Sequence, residues 1–373
     1  MAKKYIVCPD SFKGSISSKG AADAIEKGIL AIDPTARVIK APIADGGEGT
    51  LDALTPACDR IKATVRSTDG TPIVAEYGHT GDTAIIEMAR AAGLCLVDEK
   101  KRNPERFSTY GVGQLVADAL DRGFRRIMIT VGGSGTNDGG SGLIEALGVR
   151  FLDENGESLS MCGGALAKIS KIDLSNLDER LKNTEFIFAC DVDNPLIGER
   201  GATNVYGAQK GADGEMLVRL EAGMINYADK LAIASGRDVR WIAGCGAGGG
   251  MPASLLALGN ARIESGIDSV LSAIGFDDML EGCTLVITGE GKIDRQSTYG
   301  KAISGIASRT KKKGIPLLVL VGLKGEGADE LLSLGITKIS AISSIAPDTE
   351  YSMKHADVLL ERLTLDELRK MKI

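Results

Sequence analysis

Histidine is nearly missing from this chain: His79 and His355 are the two in 373 residues. They lie far apart without ligand-like spacing, so a zinc centre is not expected. Neither sits beside a nucleophile, which excludes a histidine-based triad. Aromatic residues are 4% of the sequence, too few for recognition built on stacking against bases or sugars. Proline is low at 10, which argues against Pro/Gly-rich disorder. No apolar run reaches the length of a membrane-spanning helix. Cysteine is scarce and scattered, at 8, 58, 95, 162, 190, 245 and 283, with no CxxC pair. Most of these lie in apolar, strand-like surroundings and read as small hydrophobes in a reducing compartment, not as a disulfide framework. Positive charge is not in excess either: 44 Lys and Arg against 50 Asp and Glu leave −6. That is poor footing for nucleic acid or an anionic membrane. The run Lys311-Lys312-Lys313 closes a helical pattern, where cations complement the helix dipole. The sequence leads into a strand pattern at Tyr5–Cys8 without a leader-like stretch, so the expected setting is cytoplasmic, without nucleic-acid or membrane partners.

What the chain has in excess is glycine, 48 residues, nearly twice the usual share of about 7%. The length suggests two domains. Tyr5–Cys8 reads as a strand, and Ser17–Ile32 as a helix with Ala21, Ile25, Ile29 and Ile32 on one face and Pro34 beyond it. Ala36–Ile43 reads as a second strand, completing a βαβ unit. Ile61–Arg66, Ile73–Tyr77 and Ala84–Glu87 are then joined by Asp69-Gly70 and Thr80-Gly81-Asp82, turns short enough for antiparallel pairing. A helix at Val112–Arg122, strands at Arg126–Val131 and Glu185–Ala189, a hairpin around Asp153–Gly156 and a helix from Glu215 to Ala234 follow. The βαβ rhythm returns with Leu285–Thr288, Ala302–Lys312, Leu317–Val321 and Ile339–Ser343. Two N-terminal strands cannot stand alone. The predicted fold class is therefore α/β with two domains. A parallel-sheet domain is built from both chain ends, 1–60 and 283–373, and a mixed-sheet α/β domain, 61–282, is inserted between them.

Five clusters of one chemistry follow strands, all but one of them bearing glycine, mixed with Asp, Asn, Glu, Lys or Ser. They are Pro9–Ser15, Ala44–Thr50, Gly132–Gly140, Asp191–Pro195 and Gly289–Ser297. In open α/β sheets ligands bind outside the carboxyl ends of strands. Glycine lets bare backbone N–H groups face an anion. Crowded carboxylates would repel a phosphate unless a hard divalent cation bridged the two, as Mg²⁺ does. Lys13, Lys292 and Lys301 would complete the charge balance. The combination points to phosphoryl transfer from a Mg-nucleotide. There is no GxxxxGK[ST] and no HRD/DFG set, which excludes P-loop proteins and protein kinases. Gly244-Cys245-Gly246-Ala247-Gly248-Gly249 is a formal GxGxxG after Trp241–Ala243, with Glu264 placed for a ribose. An NAD(P)-dependent oxidoreductase using that loop is one alternative, and a non-catalytic binder of small anions is another.

Together the clusters resemble the bacterial type 1 glycerate kinase family, in its glycerate 2-kinase branch. PDSFKGS at Pro9–Ser15, ADGGEGT at Ala44–Thr50, GGSGTNDGG at Gly132–Gly140, CDVDNPL at Cys190–Leu196 and GEGKIDRQSTYGK at Gly289–Lys301 carry the resemblance. It runs through nearly the whole chain. It implies a kinase that uses ATP and Mg²⁺ to phosphorylate D-glycerate, usually to 2-phosphoglycerate. It also implies a flavodoxin- or Rossmann-like domain from both chain ends plus an inserted domain. Chemistry then distributes roles. Asp191 is the candidate general base and Lys13 the second catalytic candidate. Asp45, Glu48, Asp193 and Glu290 are candidate Mg²⁺ groups. Asp10, Ser11, Gly46 and Gly47 are expected to bind substrate or nucleotide. So are Gly133, Ser134, Gly135, Asn137, Asp138 and Asn194, with Lys292, Ser297 and Lys301 toward phosphate and Arg66 as a carboxylate clamp. Loops from both domains imply an interdomain cleft that closes on both ligands. Whether the protein is a monomer or a homo-oligomer is not set by the sequence, nor does physics choose between the 2- and 3-hydroxyl.

Overall fold

The structure, a computed structural model, describes residues 2–41, 43, 49–55, 59–294 and 302–371. The expected site residues Asp45, Gly46, Gly47, Glu48, Ser297 and Lys301 lie outside the described residues. In chain order the strands are β1 (Lys4–Val7), β2 (Arg37–Lys40), β3 (Arg60–Arg66), β4 (Pro72–Thr80), β5 (Thr83–Glu87), β6 (Arg126–Thr130), β7 (Arg150–Leu152), β8 (Ser158–Leu159), β9 (Lys171–Asp173), β10 (Glu185–Ala189), β11 (Asn260–Glu264), β12 (Leu285–Ile293), β13 (Leu317–Lys324) and β14 (Lys338–Ala341). The chain divides into a terminal unit, Met1–Asp45 with Val270–Ile373, and an inserted unit, Gly46–Ser269.

The terminal unit holds one five-stranded sheet in the order β14-β13-β12-β1-β2, parallel throughout. Its central strands are continuous apolar runs, as a sheet covered on both faces requires. Tyr5 and Val7 face the same core as Leu285, Ile287, Leu318 and Leu320. The helix Ser18–Leu30 starts where the Ser17 side chain accepts the Gly20 N–H, and it buries Ala21, Ile25 and Ile29. It packs on the last helix, Ala356–Met371, closely enough that a Cβ on Gly28 would lie 2.6 Å from the Glu361 carbonyl oxygen. Numbered along the unit, the strand order is 2-1-3-4-5, the flavodoxin-like order, which reverses between β1 and β12.

The inserted unit holds a six-stranded mixed sheet, β11-β10-β6-β5-β4-β3, and a small antiparallel sheet, β8-β7-β9. β3, β4 and β5 pair antiparallel through the short turns, whereas β5, β6, β10 and β11 run parallel. The helix Gly214–Ser235 is capped by Asp213, whose carboxylate accepts the Met216 N–H, and ends at Gly236 with φ 72°. Two expectations need correction. β12 does not stop at Thr288: Gly289–Ile293 continue as strand, because β13 runs on beside them and pairs through Leu320–Lys324. Trp241–Ala243 form no strand, so the GxGxxG segment lacks the strand that a dinucleotide fingerprint follows. Among the described residues no helix is long and apolar enough to cross a membrane.

Candidate functional sites in each unit

Beyond the end of β1, beside the stretch of β12 that runs on past it, the terminal unit has a cavity of about 430 Å³. Topology puts it there: in a doubly wound sheet the chain leaves neighbouring strands in opposite directions at the reversal point and opens a crevice. Asp10, Ser11, Phe12 and Lys13 line it from the end of β1, and Glu290, Gly291 and Lys292 from β12. The Asp10 N–H donates to the Gly289 carbonyl (2.8 Å), and the Asp10 carboxylate accepts the Ser11 N–H (2.6 Å). A Cβ on Gly289 would lie 1.9 Å from the Leu320 carbonyl oxygen, so only glycine fits there. The opposite wall is Ile342 with Thr349, Ser352 and Met353 of the helix Thr349–Lys354. The Ser15 hydroxyl donates to the Met353 carbonyl (2.6 Å), tying that helix to the first loop. Lys292 lies 3.2 Å from Asp294. Sequence reasoning missed the Ile342–Met353 wall, which contains no glycine cluster.

In the inserted unit the loops after β6 and β10 are locked by groups distant in sequence. Asp138 is fully buried. Its carboxylate accepts the Thr109 N–H (2.7 Å) and hydroxyl (2.8 Å) and the N–H groups of Gly140 (3.2 Å) and Gly142 (3.3 Å). Burial pushes its pKa above the ordinary carboxylate value, against the pull of those donors. The Asn137 amide donates to Thr203 Oγ1 (3.0 Å), and the Tyr206 hydroxyl donates to Asn194 Oδ1 (2.6 Å). Lys210 Nζ donates to Ser134 Oγ (2.9 Å) and to the Thr136 carbonyl (2.7 Å). The glycine-rich segment 244–250 lies between the two loops. Gly139 N–H donates to the Gly249 carbonyl and Gly246 N–H to the Asn194 carbonyl. A Cβ on Gly249 would lie 2.0 Å from the Thr136 carbonyl oxygen. Its glycines are explained by close packing against these loops.

Asp191 is exposed, with Oδ1 accepting the Gly266 N–H (2.8 Å), which joins the loops after β10 and β11. Asp193, exposed, pairs with Arg200 (2.7 Å). Arg66 stacks over the Tyr110 ring at 4.2 Å, one residue from Thr109. Gly133, Ser134 and Gly135 stand where the loop meets the chain after β5: Leu94 N–H donates to the Gly133 carbonyl, and Gly135 N–H to the Ala92 carbonyl. Thus Asp10, Ser11, Lys13, Glu290 and Lys292 share one cavity, while Asn137, Asp138 and Asn194 share one scaffold with Ser134. Among the described residues no three His, Cys, Asp or Glu side chains come together as a metal-holding group. Thr109, Thr203, Tyr206 and Lys210 were not among the expected site residues. Their signal in the sequence is slight: Ser108–Tyr110 and Tyr206–Gln209 stand out only as polar, loop-like stretches.

Residues 5–372 match the model of the glycerate kinase family. A glycerate kinase of Bacillus subtilis (strain 168) is 43% identical, the alignment covering 99% of this chain and 98% of that protein. A glycerate 2-kinase of Escherichia coli (strain K12) is 42% identical over 92% of this chain and 90% of its own. A crystal structure from Salmonella typhimurium LT2, provisionally named glycerate kinase 2, superposes with a TM-score of 0.86 at 35% identity, covering all of both chains.

Proposed function

The chain belongs to the glycerate kinase family and is a kinase, and from that premise we propose that it transfers the terminal phosphoryl group of ATP to the 2-hydroxyl of D-glycerate, assisted by Mg²⁺. The observation that carries the reading is the convergence of Asp10, Lys13, Glu290 and Lys292 on one cavity at the β1/β12 switch point. Two carboxylates and two ammonium groups on one crevice suit a metal-chelated polyphosphate. The apolar wall of Leu323, Ile342 and Met353 suits a base. The cavity, at about 430 Å³, has room for a nucleotide where a three-carbon acid needs a fraction of it.

The carboxylate oxygens of Asp10 and Glu290 are hard ligands of the kind Mg²⁺ takes, and these two residues would hold it. Bound there, the cation would neutralise charge on the phosphate oxygens. Lys13 and Lys292 meet the same oxygens. Asp191 accepts the proton of the attacking 2-hydroxyl, and that hydroxyl's oxygen forms the new bond to phosphorus as the bond to the ADP oxygen breaks. Its fixed place after β10, held by the Gly266 N–H, is what a base needs. A group in that role contributes about 10²–10⁴ in rate, so Asp191→Asn is expected to lower kcat by at least that lower bound. Retention of more than a tenth of wild-type kcat removes Asp191 from the role.

The deciding experiment measures ADP release with and without D-glycerate and Mg²⁺, then passes the product to enolase. Release that needs both, with immediate formation of phosphoenolpyruvate, is the expected result. ADP release without enolase turnover moves the phosphoryl group to the 3-hydroxyl. Absence of glycerate-dependent ADP release sinks the assignment.

A further inference from the structure

Lys210 is the one cation among the described residues that is fully buried, 1% exposed. It ends the short 3-10 turn Ala208–Lys210, and Gly211 follows with φ 98°, turning the chain away so that the side chain runs inward. The same stretch of chain carries Thr203, which holds Asn137, and Tyr206, which holds Asn194. A lysine is costly to bury, and nothing in the phosphoryl-transfer scheme above uses it.

We infer that Lys210 is a positioning residue for an oxyanion site on the loop after β6, acting through Ser134, and that anion binding there is linked to a proton on Lys210. That the oxyanion is a substrate group rests on the kinase reading; the site itself does not. Lys210 donates to Ser134 Oγ and to the Thr136 carbonyl. A serine hydroxyl that accepts from an amine keeps its own O–H to give away. Ser134 is half-buried at the loop surface, so that hydrogen is available to a carboxylate or phosphate oxygen. The two acceptors satisfy both N–H bonds of a neutral amine, whereas an ammonium brings a third.

Burial lowers the Lys210 pKa to about 7, with the charge of Asp138 on the same loop opposing that shift. An anion on Ser134 adds negative charge beside the amine and favours its protonated form. Binding therefore takes up a proton near neutrality. Affinity for the anion is thus highest below pH 7 and falls as pH rises through it.

The test uses the full chain and the variants Lys210→Gln, Ser134→Ala and the double variant, with KM for D-glycerate and for ATP followed from pH 6 to 9. Glutamine keeps two N–H donors and cannot titrate. It is expected to raise the KM of one anionic substrate about tenfold, the weight of one hydrogen bond to a charged group, and to abolish the rise of that KM above pH 7. Ser134→Ala is expected to do the same, and the double variant to be no worse than Ser134→Ala alone. The substrate affected identifies the ligand: D-glycerate for a carboxylate, ATP for a phosphate. Unchanged KM values and pH profile in Lys210→Gln, whatever its thermal stability, reduce Lys210 to an internal strut and overturn the inference. If that variant does not fold, unchanged KM values in Ser134→Ala overturn it equally. Calorimetric titration with inorganic phosphate in buffers of differing ionisation heat reads proton uptake without turnover. Uptake in the wild-type chain that vanishes in Ser134→Ala supports the inference even if glycerate is not the substrate. No uptake on phosphate binding overturns the proton link.

Discussion

Asp138 shows how a polar side chain in a candidate binding loop is used to build the loop. Four donors converge on its buried carboxylate, two from Thr109 and two from the backbone of the turn it begins. Removing that acceptor leaves all four donors buried without a partner, the costly direction of the hydrogen-bond asymmetry. Asp138→Ala is expected to destabilise the inserted unit by about 3 kcal/mol or more, read as a lower urea midpoint. A midpoint within error of the wild type would mean that the loop does not depend on this carboxylate. The motif GGSGTNDGG pointed to Asn137 and Asp138, and the resemblance gave them binding roles. It could not show that Asp138 is occupied by Thr109, because the two are 29 residues apart and their meeting is a property of the packed sheet. Lys210 was invisible for the same reason. A lysine after Gln209 reads as surface until the partners Ser134 and Thr136 are seen, 76 and 74 residues away.

At the scale of elements, periodicity is a good guide where a segment has one face to bury. The helices Ser18–Leu30, Tyr110–Asp121 and Gly214–Ser235 fall within a few residues of their apolar patterns. The lysines 311–313 do end a helix. Glycine is where sequence reasoning went astray, in two directions. Gly289 and Gly291 read as a loop but belong to β12, and at Gly289 the Leu320 carbonyl leaves no room for a side chain. Gly244–Gly249 read as a formal nucleotide fingerprint but serve as a close-packed joint between two loops. That joint is testable. At Gly249 the backbone has φ 72° and a Cβ would meet the Thr136 carbonyl at 2.0 Å. Gly249→Ala is therefore expected to cost at least about 2 kcal/mol and to disturb the Ser134–Thr136 segment. Thermal unfolding and amide exchange at Thr136 and Asn137 would measure both. An alanine variant with wild-type stability and exchange would refute the packing argument.

For the molecule as a whole, the decisive pairing is β1 with β12, Tyr5 opposite Leu285 and Val7 opposite Ile287. It was legible from arithmetic alone, since two strands at one end and three at the other make a sheet only together. Strand order within that sheet was not legible, because apolar runs of similar length do not name their neighbours. The last helix completes the same unit by burying Leu359, Leu360, Leu363 and Leu368. Ending the chain before Ala356 is expected to abolish the cooperative unfolding of the terminal unit and leave that of the inserted unit, seen as one calorimetric transition lost and one kept. Loss of both, or of neither, would contradict the division into two cores. The β1–β12 pairing also carries a consequence for biosynthesis. The first strand leaves the ribosome some 280 residues before its partner, the separation of Thr288 from Cys8. At about 5–20 residues per second, its β12-facing edge waits unpaired for roughly a quarter of a minute to nearly a minute. During that interval an apolar segment with one open hydrogen-bonding edge is exposed to chaperones and to neighbouring nascent chains, while the segment between the two strands is free to fold first.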